Sequence, residues 1–172
     1  LDQANSSEKL SDSQPPDHTK LARSLKQYPN NPVITVGKRG EWDDQTLGCF
    51  TVLADNNQFY FYSGGTQFGK PKKIGMATSS DGLRWKKYKN NPLFPGSMPY
   101  VIKVDDMFRM YHPGKDESGK HGLLMRTSKD GFHWNKTELV LPGGILDPCV
   151  VQVAADRFHL YYCAGGKKMK DG

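Results

Sequence analysis

Three aspartates stand where they could do acid–base chemistry. Asp147, in Leu146-Asp147-Pro148-Cys149, puts a charge just where an apolar stretch begins. Asp43 and Asp44 follow Trp42 shortly before Gly48-Cys49-Phe50. Two carboxylates flanking a bond can protonate a leaving group and activate water, which is the chemistry of glycoside hydrolysis. An aspartate before proline also opens a turn, and an acidic pair sits comfortably in a solvated loop, so both readings stand for these residues. Trp42 could stack on a sugar ring, and His112, at the end of a strand-like run, could hydrogen-bond hydroxyls. The alternatives are a tryptophan packed under a loop and a histidine on a sheet surface.

The elements that must position these residues repeat about every fifty residues. Ser79-Ser80-Asp81-Gly82-Leu83-Arg84-Trp85 returns as Ser128-Lys129-Asp130-Gly131-Phe132-His133-Trp134. Phe59-Tyr60-Phe61-Tyr62-Ser63-Gly64-Gly65 returns as Phe108-Arg109-Met110-Tyr111-His112-Pro113-Gly114, and again from Phe158 to Gly165. Each unit opens on a third motif: Gly48-Cys49-Phe50, Met98-Pro99-Tyr100, Asp147-Pro148-Cys149. A period of this length points to a repeat architecture, with a propeller as the leading candidate.

Within the first unit, β-branched and aromatic residues mark strands at about residues 49–54, 58–62, 73–78 and 84–88. Asp55-Asn56-Asn57 and Asp81-Gly82 supply the turns. Four antiparallel strands per unit is the build of a propeller blade. The expected fold is therefore all-β, about two and a half blades, at about 30–89, 90–138 and an incomplete 139–172. Residues 1–28, rich in Ser, Asp, Gln, Pro and Lys, are expected to form an irregular leader with one short helix near residues 19–27. Trp85 and Trp134 are expected to pack between blades, and Asp81 and Asp130 to form turns.

Composition narrows the classes. Of 172 residues 36% are hydrophobic and 24% charged, with 18 glycines, which fits a folded, loop-rich β protein rather than a disordered one. No apolar run is long enough for a membrane-spanning helix. The formal charge of +6 brings no basic helix or RNA-binding motif, so nucleic acid is not an expected partner. The three cysteines, Cys49, Cys149 and Cys163, argue against a disulfide framework and are expected to be reduced and mostly buried. Cys49 and Cys149 are read as equivalent inner-strand residues. The scattered histidines give no metal spacing, and no cofactor is expected.

With these residues in view, the chain resembles the five-bladed β-propeller glycoside hydrolases of the family-43 and family-32 type. The resemblance rests on Trp42-Asp43, on Tyr60-Phe61-Tyr62-Ser63-Gly64-Gly65, on the hairpin from Ile74 to Trp85 and on Asp147-Pro148, and it covers about residues 30–172. It implies a carbohydrate-active protein that hydrolyses or binds a glycan, in an extracellular or periplasmic setting. In that family a first-blade aspartate is the general base. A third-blade aspartate before proline orients the acid and tunes its pKa, and a fourth-blade glutamate is the acid. Asp147 matches the third-blade motif. No acid directly precedes Cys49-Phe50, which leaves Asp43 or Asp44 as a substitute base. The fourth-blade glutamate has no counterpart, and Glu117 and Glu138 lie outside the blade openings.

The catalytic set in this chain is thus incomplete, and further blades from the same or another chain are expected partners. The competing reading is a non-catalytic propeller scaffold for a glycan or protein. Asp147 is expected near the axis, on the same face as Trp42 and Asp43 or Asp44. Three lysine-bearing loops, at residues 70–73, 115–121 and 167–170, are expected on that face. They suit an acidic glycan or an anionic partner surface, or they are simply solvated.

Overall fold

The computed structural model describes residues 25–164. The chain divides into two units, residues 1–31 and 32–172, and every described strand belongs to the second. The leader helix expected at residues 19–27 falls mostly outside the described residues, and residues 25–28 carry no regular structure.

The first sheet runs β1 (Thr46–Asp55), β2 (Gln58–Thr66), β3 (Lys73–Ser79) and β4 (Lys86–Lys87), with β5 (Phe94–Pro95) also paired to β3. The second runs β6 (Tyr100–Val104), β7 (Met107–Lys115), β8 (His121–Ser128) and β9 (Glu138–Pro142). The third holds β10 (Ile145–Ala154) and β11 (Arg157–Ala164). All pairings are antiparallel, and no helix occurs among the described residues. The β1–β2 and β6–β7 hairpins turn on Asn56-Asn57 and Asp105-Asp106, all four at positive φ. That is the two-residue turn whose twist matches the strands, and Asn and Asp tolerate it best among side-chain-bearing residues.

The fourth strand expected at residues 84–88 is reduced to Lys86–Lys87. Asp81-Gly82 is not a tight hairpin turn but the start of a loop that satisfies its own backbone. The Asp81 carboxylate accepts from Leu83 N and Arg84 N, at 2.9 and 2.8 Å, and Ser79 Oγ accepts from Gly82 N. Asp130 and Ser128 repeat the arrangement at Phe132, His133 and Gly131. These amides bond to side chains instead of the neighbouring strand, so pairing starts late. Asn91 takes over one rung, donating Nδ2 to Met76 O and accepting Met76 N. Backbone N–H donors hold the Asp81 carboxyl well below the usual range. For Asp130 burial works in the opposite direction, and its hydrogen bonds outweigh it, also giving a depressed pKa.

Core packing occurs between sheets. Tyr60, Tyr62, Ile74 and Met76 of the first sheet bury against Val101, Phe108 and Met110 of the second. Tyr111 and Leu123 of the second bury against Ile145 and Val150 of the third. Trp134 lies in the first of these interfaces, edge-on to Tyr62 at 5.7 Å. Trp85, its repeat counterpart, packs on Phe61 at 5.6 Å on the opposite side of the first sheet. Each sheet has one inner strand (β1, β6, β10), and these strands lie side by side in succession.

Candidate functional site

The inner strands begin alike. Cys49, Met98 and Asp147 stand 49 residues apart and have φ of 47°, 52° and 47°. A left-handed backbone at a residue other than glycine costs about 1–3 kcal/mol and persists only where the surroundings impose it. At Cys49 and Asp147 the ladder imposes it. Pairing shifts between Gly48 and Phe50, so Cys49 drops out of register, and it shifts again between Leu146 and Cys149, around Asp147. Bulges of this kind re-aim side chains and are frequent beside active sites.

The result is a groove across the ends of the inner strands. One part, about 180 Å³, is lined by Cys49, Phe50, Thr51, Met98, Pro99, Tyr100, Asp147 and Pro148. A second part, about 120 Å³, adds Thr46, Thr66, Lys72 and Ser97 and shares Cys49 and Met98 with the first. The groove therefore offers a carboxylate, a thiol, four small hydroxyls and one amine. Thr46 Oγ1 and Thr66 Oγ1 are 2.6 Å apart. Tyr100 sits against Cys149, whose hydrogen bond, with burial after it, raises the phenol pKa. Lys72 reaches the groove because the β2–β3 loop lies at the end where β1 starts, as the Thr46–Thr66 pairing requires. The loop at residues 167–170 lies outside the described residues.

Strict spacing corrects the alignment of the openings. The counterpart of Asp147 in the first sheet is Cys49, not Gly48 and not the upstream acids. Cys149 corresponds instead to Tyr100 and Thr51, since these three face Tyr161, Tyr111 and Tyr62 across their hairpins. Cys49 and Cys149 are thus not equivalent. Cys49 was overlooked because a cysteine in an apolar run reads as core. The signal that could have found it was the series 49, 98, 147.

Asp147 is not brought together with Trp42, Asp43 or Asp44. Trp42 lies flat on the first sheet where Gly65 and Gly75 leave room, since a Cβ at either glycine would collide with its ring. It lines a separate cleft of about 460 Å³ with Glu41, Lys73, Lys87 and Tyr88. Asp43 is fully buried, and Lys87 Nζ donates to its Oδ2 at 2.6 Å. Asp44 accepts from Gly40 N at 2.7 Å and ties up its own loop. His112 is not on a surface. It is buried against Phe94, with Nδ1 3.1 Å from Pro113 O and no partner on Nε2. Burial lowers its pKa to about 4, with Arg126 adding to the effect, so the imidazole is neutral. Trp42, Asp43 and His112 belong to layers that pack a sheet, Asp44 closes its own loop, and none of the four sits at the left-handed opening of an inner strand.

The cysteines are free but less buried than expected: Cys49 and Cys163 are exposed and Cys149 is half-buried. Cys49 leaves the ladder at its bulge, and Cys163 lies on β11, whose far edge has no neighbour among the described strands. Titration of the native protein with a thiol reagent should show Cys49 and Cys163 reacting quickly and Cys149 slowly. Three slow thiols would contradict this placement.

No family model matches the sequence, and no curated protein matches it. Solved structures do. The GH32 β-fructofuranosidase of Bombyx mori, solved as a mutant with sucrose, matches at TM-score 0.57 and 17% identity, over 71% of this chain and 30% of that one. A putative glycoside hydrolase of Parabacteroides distasonis matches at 0.53 and 17%, over 65% and 40%. The GH62 α-L-arabinofuranosidase catalytic domain of Coprinopsis cinerea matches at 0.54 and 10%, over 74% and 45%. The fold is therefore that of the β-propeller glycoside hydrolases, and this chain spans less than half the length of the chains it matches.

Proposed function

We propose that this chain is a glycoside hydrolase-like propeller whose inner-strand groove takes a glycan, with Asp147 as its acidic contact. The observation that carries the reading is the position of Asp147 at a left-handed bulge, in one groove with Cys49, Met98 and the hydroxyls of Thr46, Thr66 and Ser97. Small hydroxyls and a carboxylate are the partners a sugar's own hydroxyls need, and Lys72 suits a sugar bearing an acidic group.

Hydrolysis needs two carboxyl groups, about 5–10 Å apart depending on stereochemistry. The groove supplies one, because a thiol stands at Cys49 where the repeat places the equivalent side chain. On its own residues, the chain binds and orients a glycan, and turnover requires an acid contributed from further blades. A purely binding platform is the second reading, and the thiol at Cys49 favours it.

Calorimetric titration with neutral and acidic oligosaccharides tests the site. Saturable binding is expected, with Asp147→Asn weakening it about tenfold or more, the scale of a lost hydrogen bond to a charged group. Added salt should weaken the acidic series more than the neutral one. Absence of saturable binding, or binding indifferent to Asp147→Asn, would sink the assignment.

A further inference from the structure

The left-handed openings of the inner strands need something to hold them, and at Met98 the hairpin ladder does not. β6 pairs with β7 from Tyr100 onward without a shift, unlike β1 at Cys49 and β10 at Asp147. A left-handed residue other than glycine persists only where its surroundings over-determine it. At Met98 those surroundings are the first sheet. Just before the opening, Gly96 N donates to Lys72 O at 3.1 Å. Ser97 and Met98 then lie against Gly64, where a Cβ would stand 3.6 Å from Ser97 Cα and 3.5 Å from Met98 N. Just after the opening, Thr51 Oγ1 on β1 donates to Pro99 O at 2.7 Å. Backbone on both sides of Met98 is thus tied to the preceding sheet.

The next joint repeats the last of these ties with different chemistry. Tyr100 is the register counterpart of Thr51, since they face Tyr111 and Tyr62 across their hairpins. It lines the groove beside Asp147 and Pro148, as Thr51 does beside Pro99. Its hydroxyl hydrogen-bonds Cys149, the residue at which β10 re-enters the ladder after the Asp147 bulge. The second sheet therefore fastens the far side of that bulge. In both joints the tying side chain comes from an inner strand, one sheet ahead of the opening it holds.

We propose that Thr51 and Tyr100 are positioning residues of the groove: Thr51 fixes the backbone that presents Ser97 and Met98, and Tyr100 fixes the bulge that presents Asp147. Without the Thr51 donor, Pro99 O loses its tie to β1, and the strained backbone at Met98 is free to relax. Without the Tyr100 hydroxyl, Cys149 is released and the carboxylate of Asp147 samples more positions. The effect on binding rests on the glycan reading of the groove; the effect on the openings does not.

Two measurements separate these effects. Amide hydrogen exchange of the ligand-free protein reads the openings. Thr51→Val, which keeps the branched shape and loses the donor, should speed exchange about threefold or more across residues 96–101, as loss of one hydrogen bond does. Thr51→Ser, which keeps the donor, should exchange there as wild type does. Tyr100→Phe should speed exchange to the same degree across residues 145–151, and β8 should stay unchanged in all three variants. Calorimetric titration with neutral and acidic oligosaccharides reads the groove. Tyr100→Phe should weaken binding about three- to tenfold. In an Asp147→Asn background the same change should cost nothing further, because Tyr100 acts through Asp147. Exchange that neither Thr51→Val nor Tyr100→Phe alters overturns the proposal, whatever the titration gives. So does binding indifferent to Tyr100→Phe, or weakened equally with and without the Asp147 carboxylate, which marks a general loosening of the sheets. A wild type that binds no oligosaccharide, with exchange raised as expected, overturns the glycan reading and upholds the ties.

Discussion

Tyr62→Ala is expected to destabilise the protein by about 3–5 kcal/mol, a large share of the roughly 5–15 kcal/mol that holds a domain folded. The side chain is fully buried between the first and second sheets, and touches both layers of that interface. Truncation removes its contact with Trp134 at 5.7 Å and opens a cavity beneath Met110 and Phe108 that neighbouring strands cannot collapse to fill. The hydroxyl contributes less. Gly131 O still accepts from Trp134 Nε1 at 3.2 Å once the phenol is gone, so Tyr62→Phe should cost only about 1 kcal/mol. Urea unfolding of both variants separates the contributions. Equal losses would mean that the hydrogen bond, and not packing, holds the two sheets together.

The second large effect is on acid stability. His112 is buried neutral, with a folded pKa of about 4 against the ordinary 6.5. Above pH 6.5 the imidazole is uncharged whether the chain is folded or not, and its contribution is fully present. As pH falls from 6.5 to 4, the unfolded chain takes up a proton that the folded protein refuses, so stability drops. At ~1.36 kcal/mol per unit of pH the loss is about 3 kcal/mol, complete near pH 4. Asp81 and Asp130 act with the same sign but in a lower window, since depressed carboxyl pKa values lose their benefit only below about 3.8. Unfolding free energy measured across pH 7 to 4 should therefore slope downward in wild type and flatten in His112→Gln. An unchanged slope in the variant would remove His112 as the cause.

Much of this architecture could be read from the sequence, and the reasons are specific. The period of 49–50 residues survives because each unit must present the same faces to its neighbours, so Tyr62 and Tyr111, and Trp85 and Trp134, recur in fixed places. The β1–β2 turn and the extent of β3 followed from Asn56-Asn57 and from the β-branched and aromatic runs, whereas β1 and β2 run on past the expected limits to Thr46 and Thr66, where their pairing continues. The fourth strand was misjudged because Asp81 draws Leu83 and Arg84 amides to its carboxylate, a competition that strand propensity does not register.

The site was only half legible. Asp147 could be singled out as an acid that breaks the pattern. Trp42, Asp43 and His112 drew attention for their chemistry, yet packing claims them: a ring laid on two glycines, a carboxylate neutralised by Lys87, an imidazole shut between sheets. Residue type announces chemical capacity, whereas the left-handed backbone shared by Cys49, Met98 and Asp147, with a register shift around the first and the last, shows only as a spacing.

The sheet-by-sheet packing has a consequence for how the molecule comes apart. Each core cluster joins one sheet to the next, so cohesion behaves like a short one-dimensional chain of nearest-neighbour couplings. The middle sheet is coupled on both sides. Among the described residues, the first sheet and the β10–β11 pair are each coupled to the middle sheet alone. Among the described strands the β6–β9 sheet, held from both sides, is therefore the last to yield. Cys49, Met98 and Asp147 belong to the openings of three different sheets, so anything held across the groove ties these couplings together.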